Sequence, residues 1–363
     1  MGRYRFLQNL RFVNLPFDSC LEMTLAGTYP MSISEVRRRI FINPRGLKHA
    51  GGVARWGKFV LPELKKFEDV YQLKTLGIES ENHITTRISE NIIVPLTLSK
   101  NDVLLSLCNW GPLIERQSIV IHDIAPIVHP EFFSSKYAKF SKFILPSLLR
   151  KSKQILTVSD FTKSEIMRVL NIEPNKISVV GASSTLNLAE QDLLGIHSTS
   201  FDFEGSYMVL IGSHDPRKNL PFLLNIWNKI YCETGLALLV VGQQKTKVFS
   251  DINYEDVRGV FYLGQISDLA LSELLKKAEC LLSPSIYEGF GLPIIEALLL
   301  GTPVIASPTG VATEIESPNI YTLELDSFAW QNTILNHKKQ SFNFEWKSWN
   351  EVAEKIHNQV QVL

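Results

Sequence analysis

The run Glu288-Gly-Phe-Gly-Leu-Pro-Ile-Ile-Glu296 holds two carboxylates with seven residues between them, around a turn broken by Gly and Pro. Apolar Cys280-Leu-Leu282 precedes it, and Ala297-Leu-Leu-Leu300, Gly301 and Pro303 follow. This predicts a buried strand, a turn and a short helix. Pro293 suits the first helical position, where its missing N–H would be unpaired anyway. Gly301 ends the helix and Pro303 prevents its return. The helix is apolar nearly all round except at Glu296. An unpaired buried charge is very costly, so that carboxylate needs a partner. Backbone N–H groups at the helix start attract an anion such as a phosphate. The segment thus offers an anion site, with one carboxylate in the turn and another in the first helical turn. The plainer reading makes Glu296 a helix cap and Glu288 a solvated loop residue.

Gly212-Ser-His-Asp-Pro-Arg-Lys-Asn219 follows the apolar run Met208–Ile211, and Asp215, Pro216 and Asn219 are turn or cap residues. Arg217 and Lys218 therefore sit where a strand feeds a helix. Adjacent cations there suit a diphosphate, Lys as a point charge and Arg as a forked donor. As a mere solvated helix start they would oppose the helix dipole. Gly51-Gly52-Val-Ala-Arg55 is a Gly-rich turn before a helix, where backbone can approach a ligand closely. It is not a dinucleotide fingerprint. Arg55 is within reach of a phosphate or an acceptor. His122-Asp123 closes the apolar run Ile119–Ile121, with His129 beyond it as loop structure. Ser159-Asp160-Phe-Thr162-Lys-Ser-Glu165 reads as a capping-box helix start.

The elements that must carry these residues are short apolar runs alternating with helical patterns. The runs are 40–42, 103–107, 119–121, 155–158 and 177–180, then 208–211, 236–241, 260–263, 280–282 and 304–306. Helices are expected over 53–66, 135–150, 160–170, 218–233, 269–278 and 293–300. The alternation argues for βαβ units and parallel sheets, an α/β fold. Residues 185–205 are polar and aperiodic, a linker. The expected division is a Rossmann-like domain over 1–188 and a second over 189–344. Two such domains form a cleft at the carboxyl ends of their sheets, where ligands bind. After Phe344, residues Trp346, Trp349, Val352, Ile356 and Val360 have roughly helical spacing, and a helix is expected over 345–363.

The 363 residues suit two domains, and 45% hydrophobic with 20% charged residues is ordinary for a soluble protein. Lys+Arg and Asp+Glu balance at 37 each, so no basic surplus argues for nucleic acid. The local clusters Arg37-Arg-Arg39 and Arg150-Lys151-Ser152-Lys153 read as solvated faces. Cys20, Cys108, Cys232 and Cys280 are widely spaced with no metal-ligand pattern, and free buried thiols in a reducing cytosol are expected. No run approaches a membrane-spanning length, and the N-terminus does not read as a signal peptide. The expected location is cytoplasmic.

The two glutamates around Gly-Phe-Gly-Leu-Pro, before Ala-Leu-x-x-Gly-x-Pro-Val-Ile-Ala, resemble the signature of the family 4 retaining glycosyltransferases. That resemblance implies the GT-B fold, a nucleotide-sugar donor, and a C-terminal helix crossing back to the first domain. It implies that Glu296 accepts from the ribose hydroxyls and that Glu288 contacts the donor sugar. Gly212, Arg217 and Lys218 would form the pyrophosphate site, with the amides of Phe290, Gly291 and Leu292. Many members carry an Arg where this chain has Ser213. Cys108-Asn109-Trp110-Gly111-Pro112 and His122-Asp123 resemble a subgroup of bacterial mannosyltransferase-like enzymes of surface-polysaccharide assembly, in which the His lies close to the transferred sugar and could donate to a hydroxyl of it. Gly52 and Arg55 match the family's Gly-Gly-x-Gly-Arg loop, with Ala54 replacing a Gly. Gly264-Gln265-Ile266 is either an ordinary turn or the backbone that reads a nucleobase. The implied reaction moves a hexose, from GDP-mannose or another GDP- or UDP-sugar, to a glycan or lipid-linked oligosaccharide. No metal or other cofactor is required. Residues 132–153 suit either a packed helix or peripheral contact with the membrane's inner face. A nucleotide-sugar-binding scaffold without catalysis, and another GT-B enzyme such as an epimerase or phosphorylase, remain alternatives.

Overall fold

A computed structural model describes residues 38–43, 45, 51–73, 85, 88–186, 203–212, 215–242 and 257–362. Residues 1–37, Ser213, His214 and most of the expected linker, 187–202, lie outside them.

The first sheet contains β1 (Ile40–Asn43), β2 (Val70–Gln72), β3 (Val103–Ser106), β4 (Gln117–Ile121), β5 (Gln154–Thr157) and β6 (Ile177–Val179), in the order β2-β1-β3-β4-β5-β6. The second contains β7 (Tyr207–Ile211), β8 (Ala237–Val241), β9 (Val260–Gly264), β10 (Cys280–Ser283), β11 (Val304–Ala306) and β12 (Ile320–Thr322), in the order β12-β11-β10-β7-β8-β9. Every pairing is parallel. β3, β4, β5 and β8 are buried at every residue, so their side chains serve both faces and the sequence there is mainly apolar or small, apart from Gln117 and Gln154 at the starts of β4 and β5. Strand order reverses between β1 and β3, and between β7 and β10. Such switch points open a crevice beyond the carboxyl ends of the strands.

Helices α1 (Gly52–Leu64), α2 (Val94–Thr97), α3 (Ala125–Val128), α4 (Ser135–Lys151) and α5 (Asp160–Leu170) accompany the first sheet. α6 (Leu220–Thr234), α7 (Asp268–Lys277), α8 (Leu292–Leu299) and α9 (Ser327–Asn336) accompany the second. α10 (Trp349–Gln361) returns to the first sheet. There Val352, Ile356 and Val360 join Trp56, Val60 and Leu64 of α1 in one buried cluster. His357 Nε2 lies 2.8 Å from Asp69, and Gln361 Nε2 donates to Arg38 O at 2.8 Å.

Several expectations shift. β2 and β12, three-residue edge strands, carry too little periodicity to be read, and α9 was not expected. α6 starts at Leu220 rather than 218, because Pro216–Lys218 is a separate 3₁₀ turn closed by Asn219 at φ +54°. α10 starts at Trp349 rather than 345, because Ser348 and Glu351 form the capping box there. Ser159 caps α5 by accepting from Thr162 N at 3.0 Å, but Thr162 occupies the third helical position, so no carboxylate reciprocates. Cys108 and Cys280 are free and buried, whereas Cys232 is free and exposed on α6.

Candidate active site

The carboxyl edges of both sheets open onto one cavity of about 310 Å³. All eleven residues singled out in the sequence line it: Gly52, Arg55 and His122 from the first sheet's side, and Gly212, Arg217, Lys218, Glu288, Phe290, Gly291, Leu292 and Glu296 from the second's. Gly264 does not.

On the first side, Gly51 adopts φ +106°, the turn through which the chain enters α1. Arg55 and Trp56 follow in the first helical turns. His122, buried, comes directly after β4. Asn109 fixes it, accepting from His122 N at 2.7 Å and donating to Asp123 O at 3.2 Å. The ring stands edge-on to Trp56 with centroids 5.0 Å apart. Its Nε2 lies 3.0 Å from Leu107 O. Burial pushes its pKa below the ordinary value, against the opposing pull of that carbonyl and of Asp123. The ring is therefore neutral at pH 7. A carbonyl only accepts, so Nε2 carries the proton and Nδ1 is the ring's acceptor. With Nε2–H given to Leu107 O, Nδ1 is the ring atom left to meet a ligand, as an acceptor rather than the expected donor.

On the second side, Gly212 adopts φ +102°, and a Cβ there would lie 3.0 Å from Lys218 Cγ. The glycine lets the lysine stem cross the end of β7. Lys218 Nζ reaches Glu288 Oε1 and Oε2 at 3.0 and 2.9 Å. Arg217 is occupied differently. Its Nε and Nη2 donate to Asp215 at 2.9 and 2.6 Å, and its Nη1 donates to Asp123 at 3.2 Å. Burial opposes this charge, but Asp215 and Asp123 hold the pKa above its ordinary value. The two adjacent cations thus differ. Arg217 braces the cavity wall across the sheets, and Lys218 presents an ammonium whose carboxylate partner among the described residues, Glu288, faces the same cavity.

Gly291, at φ +100°, precedes α8, whose first residue is Leu292 with Pro293 second. Pro293 has no N–H and Ile294 N donates to Gly291 O at 3.0 Å, so it is the backbone at Gly291 and Leu292, where the helix opens, that adjoins the cavity. Glu296 is 4% exposed and does have the partner its apolar helix demands. Oε1 accepts from Thr185 N at 3.2 Å and Thr185 Oγ1 at 2.6 Å. Burial pushes the Glu296 pKa up, opposed by Thr185 and Arg55.

Asp123, Asp215, Thr185, Trp56 and Gly289 line the same cavity and were not singled out. Asp123 was legible as the neighbour of His122. Nothing local marks Thr185, which lies 111 residues from Glu296.

Two parallel sheets of this order facing one cleft constitute the GT-B fold. A HepE protein of Anabaena, crystallised with UDP and glucose, has TM-score 0.53 to this chain at 16% identity, covering 89% of this chain and 95% of that one. Residues 205–335, which carry the second sheet and its helices, match the family model Glycosyl transferases group 1. The O-antigen chain mannosyltransferase RfbU of Salmonella typhimurium is 30% identical over 236 residues, 62% of each chain. The O-antigen chain mannosyltransferase B of Escherichia coli is 31% identical over 204 residues, 53% of each. The matches thus span less than two thirds of these relatives' lengths.

Proposed function

We propose that this chain is a retaining glycosyltransferase that moves a hexose from a nucleotide-sugar to a glycan or lipid-linked oligosaccharide in bacterial surface-polysaccharide synthesis. The observation that carries the reading is the convergence of the eleven residues, from distant stretches of sequence, on one cavity beside a group 1 glycosyltransferase domain. The O-antigen mannosyltransferase relatives support mannose as the sugar, hence GDP-mannose ahead of other GDP- or UDP-sugars.

In this reading Glu296 accepts from the ribose. Lys218 and the N–H groups opening α8 take the diphosphate, and their preorganised positive charge stabilises it as it departs. No metal is required, because the protein supplies that charge. Glu288, released from Lys218 by the diphosphate, turns to the donor sugar. His122 Nδ1 accepts from a sugar hydroxyl on the opposite wall. Arg217 holds Asp123 and Asp215 in place, and its contribution to the pyrophosphate is positional. Arg55 serves the phosphate or acceptor side. The proposed location is cytoplasmic. α4 exposes Lys136, Lys139, Lys142 and Phe143, a face suited to peripheral contact with an anionic membrane. Among the described residues no helix is long and apolar enough to cross a membrane.

A panel of GDP- and UDP-sugars, incubated with and without an O-antigen-type lipid-linked acceptor and with and without EDTA, tests the reading. The expected result is acceptor-dependent release of GDP from GDP-mannose, an α-linked product and no effect of EDTA. Epimerised donor without acceptor, or no turnover by pure protein with any donor, would reject it.

A further inference from the structure

The segment leaving the first sheet after β6 has no regular structure over residues 180–186, yet it is pinned at successive points. Trp56 Nε1 donates to Gly181 O at 3.1 Å, Trp346 Nε1 to Ala182 O at 2.9 Å, and Trp349 Nε1 to Ser184 O at 2.6 Å. Ser183 Oγ donates to Lys347 O at 2.6 Å. Three indoles from α1 and the C-terminal return thus fix a stretch of chain that would otherwise be a loop. Thr185, 1% exposed, comes next.

Thr185 joins the two walls of the cavity. Arg55 Nε donates to its Oγ1 at 3.0 Å, and that hydroxyl donates onward to Glu296 Oε1 at 2.6 Å. A hydroxyl has one proton to give and lone pairs to receive, so the chain Arg55–Thr185–Glu296 runs in one direction. Arg55 is itself held to the second side by Asp268, at 2.8 Å. Both hydrogen bonds to Glu296 end on Oε1. Its other oxygen has no protein partner among the described residues, and the residue lines the cavity.

We propose that Thr185 is the positioning residue of the ribose site: it anchors one oxygen of Glu296, orients the other toward the nucleotide hydroxyls, and relays the charge of Arg55 to it. This rests on Glu296 being the ribose acceptor. The indole-pinned segment makes the anchor a fixed point rather than a mobile loop.

The test is calorimetric binding of GDP or UDP, whichever the wild type binds more tightly, against its 2′,3′-dideoxy form. The wild type should prefer the ribose form, and Glu296→Gln should reduce that preference. Thr185→Val should reduce it about tenfold, the scale of one hydrogen bond to a charged group. Thr185→Ser, which keeps the hydroxyl, should restore it. Thr185→Ala makes the same measurement if the valine variant does not fold. An undiminished preference in Glu296→Gln removes the ribose reading, and the proposal with it. A reduced preference in Glu296→Gln with an undiminished one in Thr185→Val overturns the proposal alone. Tighter binding of the ribose form by Thr185→Val also overturns it, since Thr185 would then compete with the ribose.

Discussion

At the scale of single residues, the cavity walls are held by pairs that a ligand must exchange. Lys218 and Glu288 satisfy each other at 2.9 Å, with both side chains about 15% exposed. A diphosphate arriving at Lys218 competes with Glu288 for the ammonium. Removing the competing carboxylate frees the cation, so Glu288→Gln should bind nucleoside diphosphate more tightly than the wild type while its kcat falls. Weaker nucleotide binding in that variant would show that Glu288 supports the phosphate site rather than occupying it. Lys218→Ala should lower kcat/KM at least tenfold, because a charge-assisted hydrogen bond is worth about 1.5–3 kcal/mol. Near-wild-type kinetics would take Lys218 out of the site. Glu288, Glu296 and Lys218 were legible because residue type and local spacing alone place them at strand-to-helix turns. The commitment of Arg217 was not, because its partner Asp123 lies 94 residues away on the other sheet. The tautomer of His122 depends likewise on Leu107 O, a backbone atom that no sequence pattern marks.

At the scale of elements, α8 buries one carboxyl group in an otherwise apolar helix. Five of its eight residues are buried, among them Glu296. Burial raises the Glu296 pKa above its ordinary value of 4.5. A carboxyl group whose pKa rises on folding adds stability below the unfolded value and loses it as pH climbs through the folded one. Near neutral pH Glu296 therefore weighs against folding in the ligand-free protein, a load that fits its proposed role at the ribose. Glu296→Gln should raise the melting temperature at neutral pH, and the gap to wild type should narrow as pH falls toward 4.5. A gap independent of pH would mean that the charge is fully compensated by Thr185 and Arg55. The central strands and the helices beside the site were readable to within two or three residues, because burial on both faces forces apolar runs and Gly or Pro marks their ends. Edge strands β2 and β12 were not, because three residues, of which at most one is buried, are too few to show a pattern. The C-terminal segment was readable as an apolar face. The work of Trp346 and Trp349 as donors to the connecting segment was hidden, because a tryptophan in sequence reads first as hydrophobic area.

At the scale of the whole molecule, the two sheets meet at Gly289. Its carbonyl accepts from Ser159 Oγ at 2.5 Å and from Thr162 Oγ1 at 3.0 Å, both on the first side. Nearby, Glu314 Oε1 accepts from Asp160 N at 2.7 Å and Phe161 N at 3.3 Å, capping α5 from across the cleft. Gly289 stands between Glu288 and Phe290, so this contact sets how closely Glu288 approaches His122. A Cβ on residue 289 would lie 2.0 Å from His122 O and 2.9 Å from Asp123 Cβ, a clash with backbone that no side-chain rotation relieves. Gly289→Ala must therefore hold the walls apart. The nucleotide contacts proposed at Lys218 and the start of α8 belong to one side and survive that displacement, whereas the Thr185 anchor of Glu296 and joint contact of Glu288 and His122 with the sugar do not. An interaction made only in the closed transition state is lost from kcat rather than from ground-state binding. A misplacement of about 1 Å can cost on the order of a hundredfold in rate. Gly289→Ala should accordingly lower kcat by about that factor, while nucleoside diphosphate affinity falls by no more than the roughly tenfold set by loss of the Thr185 anchor. Equal losses in kcat and in nucleotide affinity would place the contact in the donor site itself, and unchanged kcat would show that the two walls do not close on the sugar together.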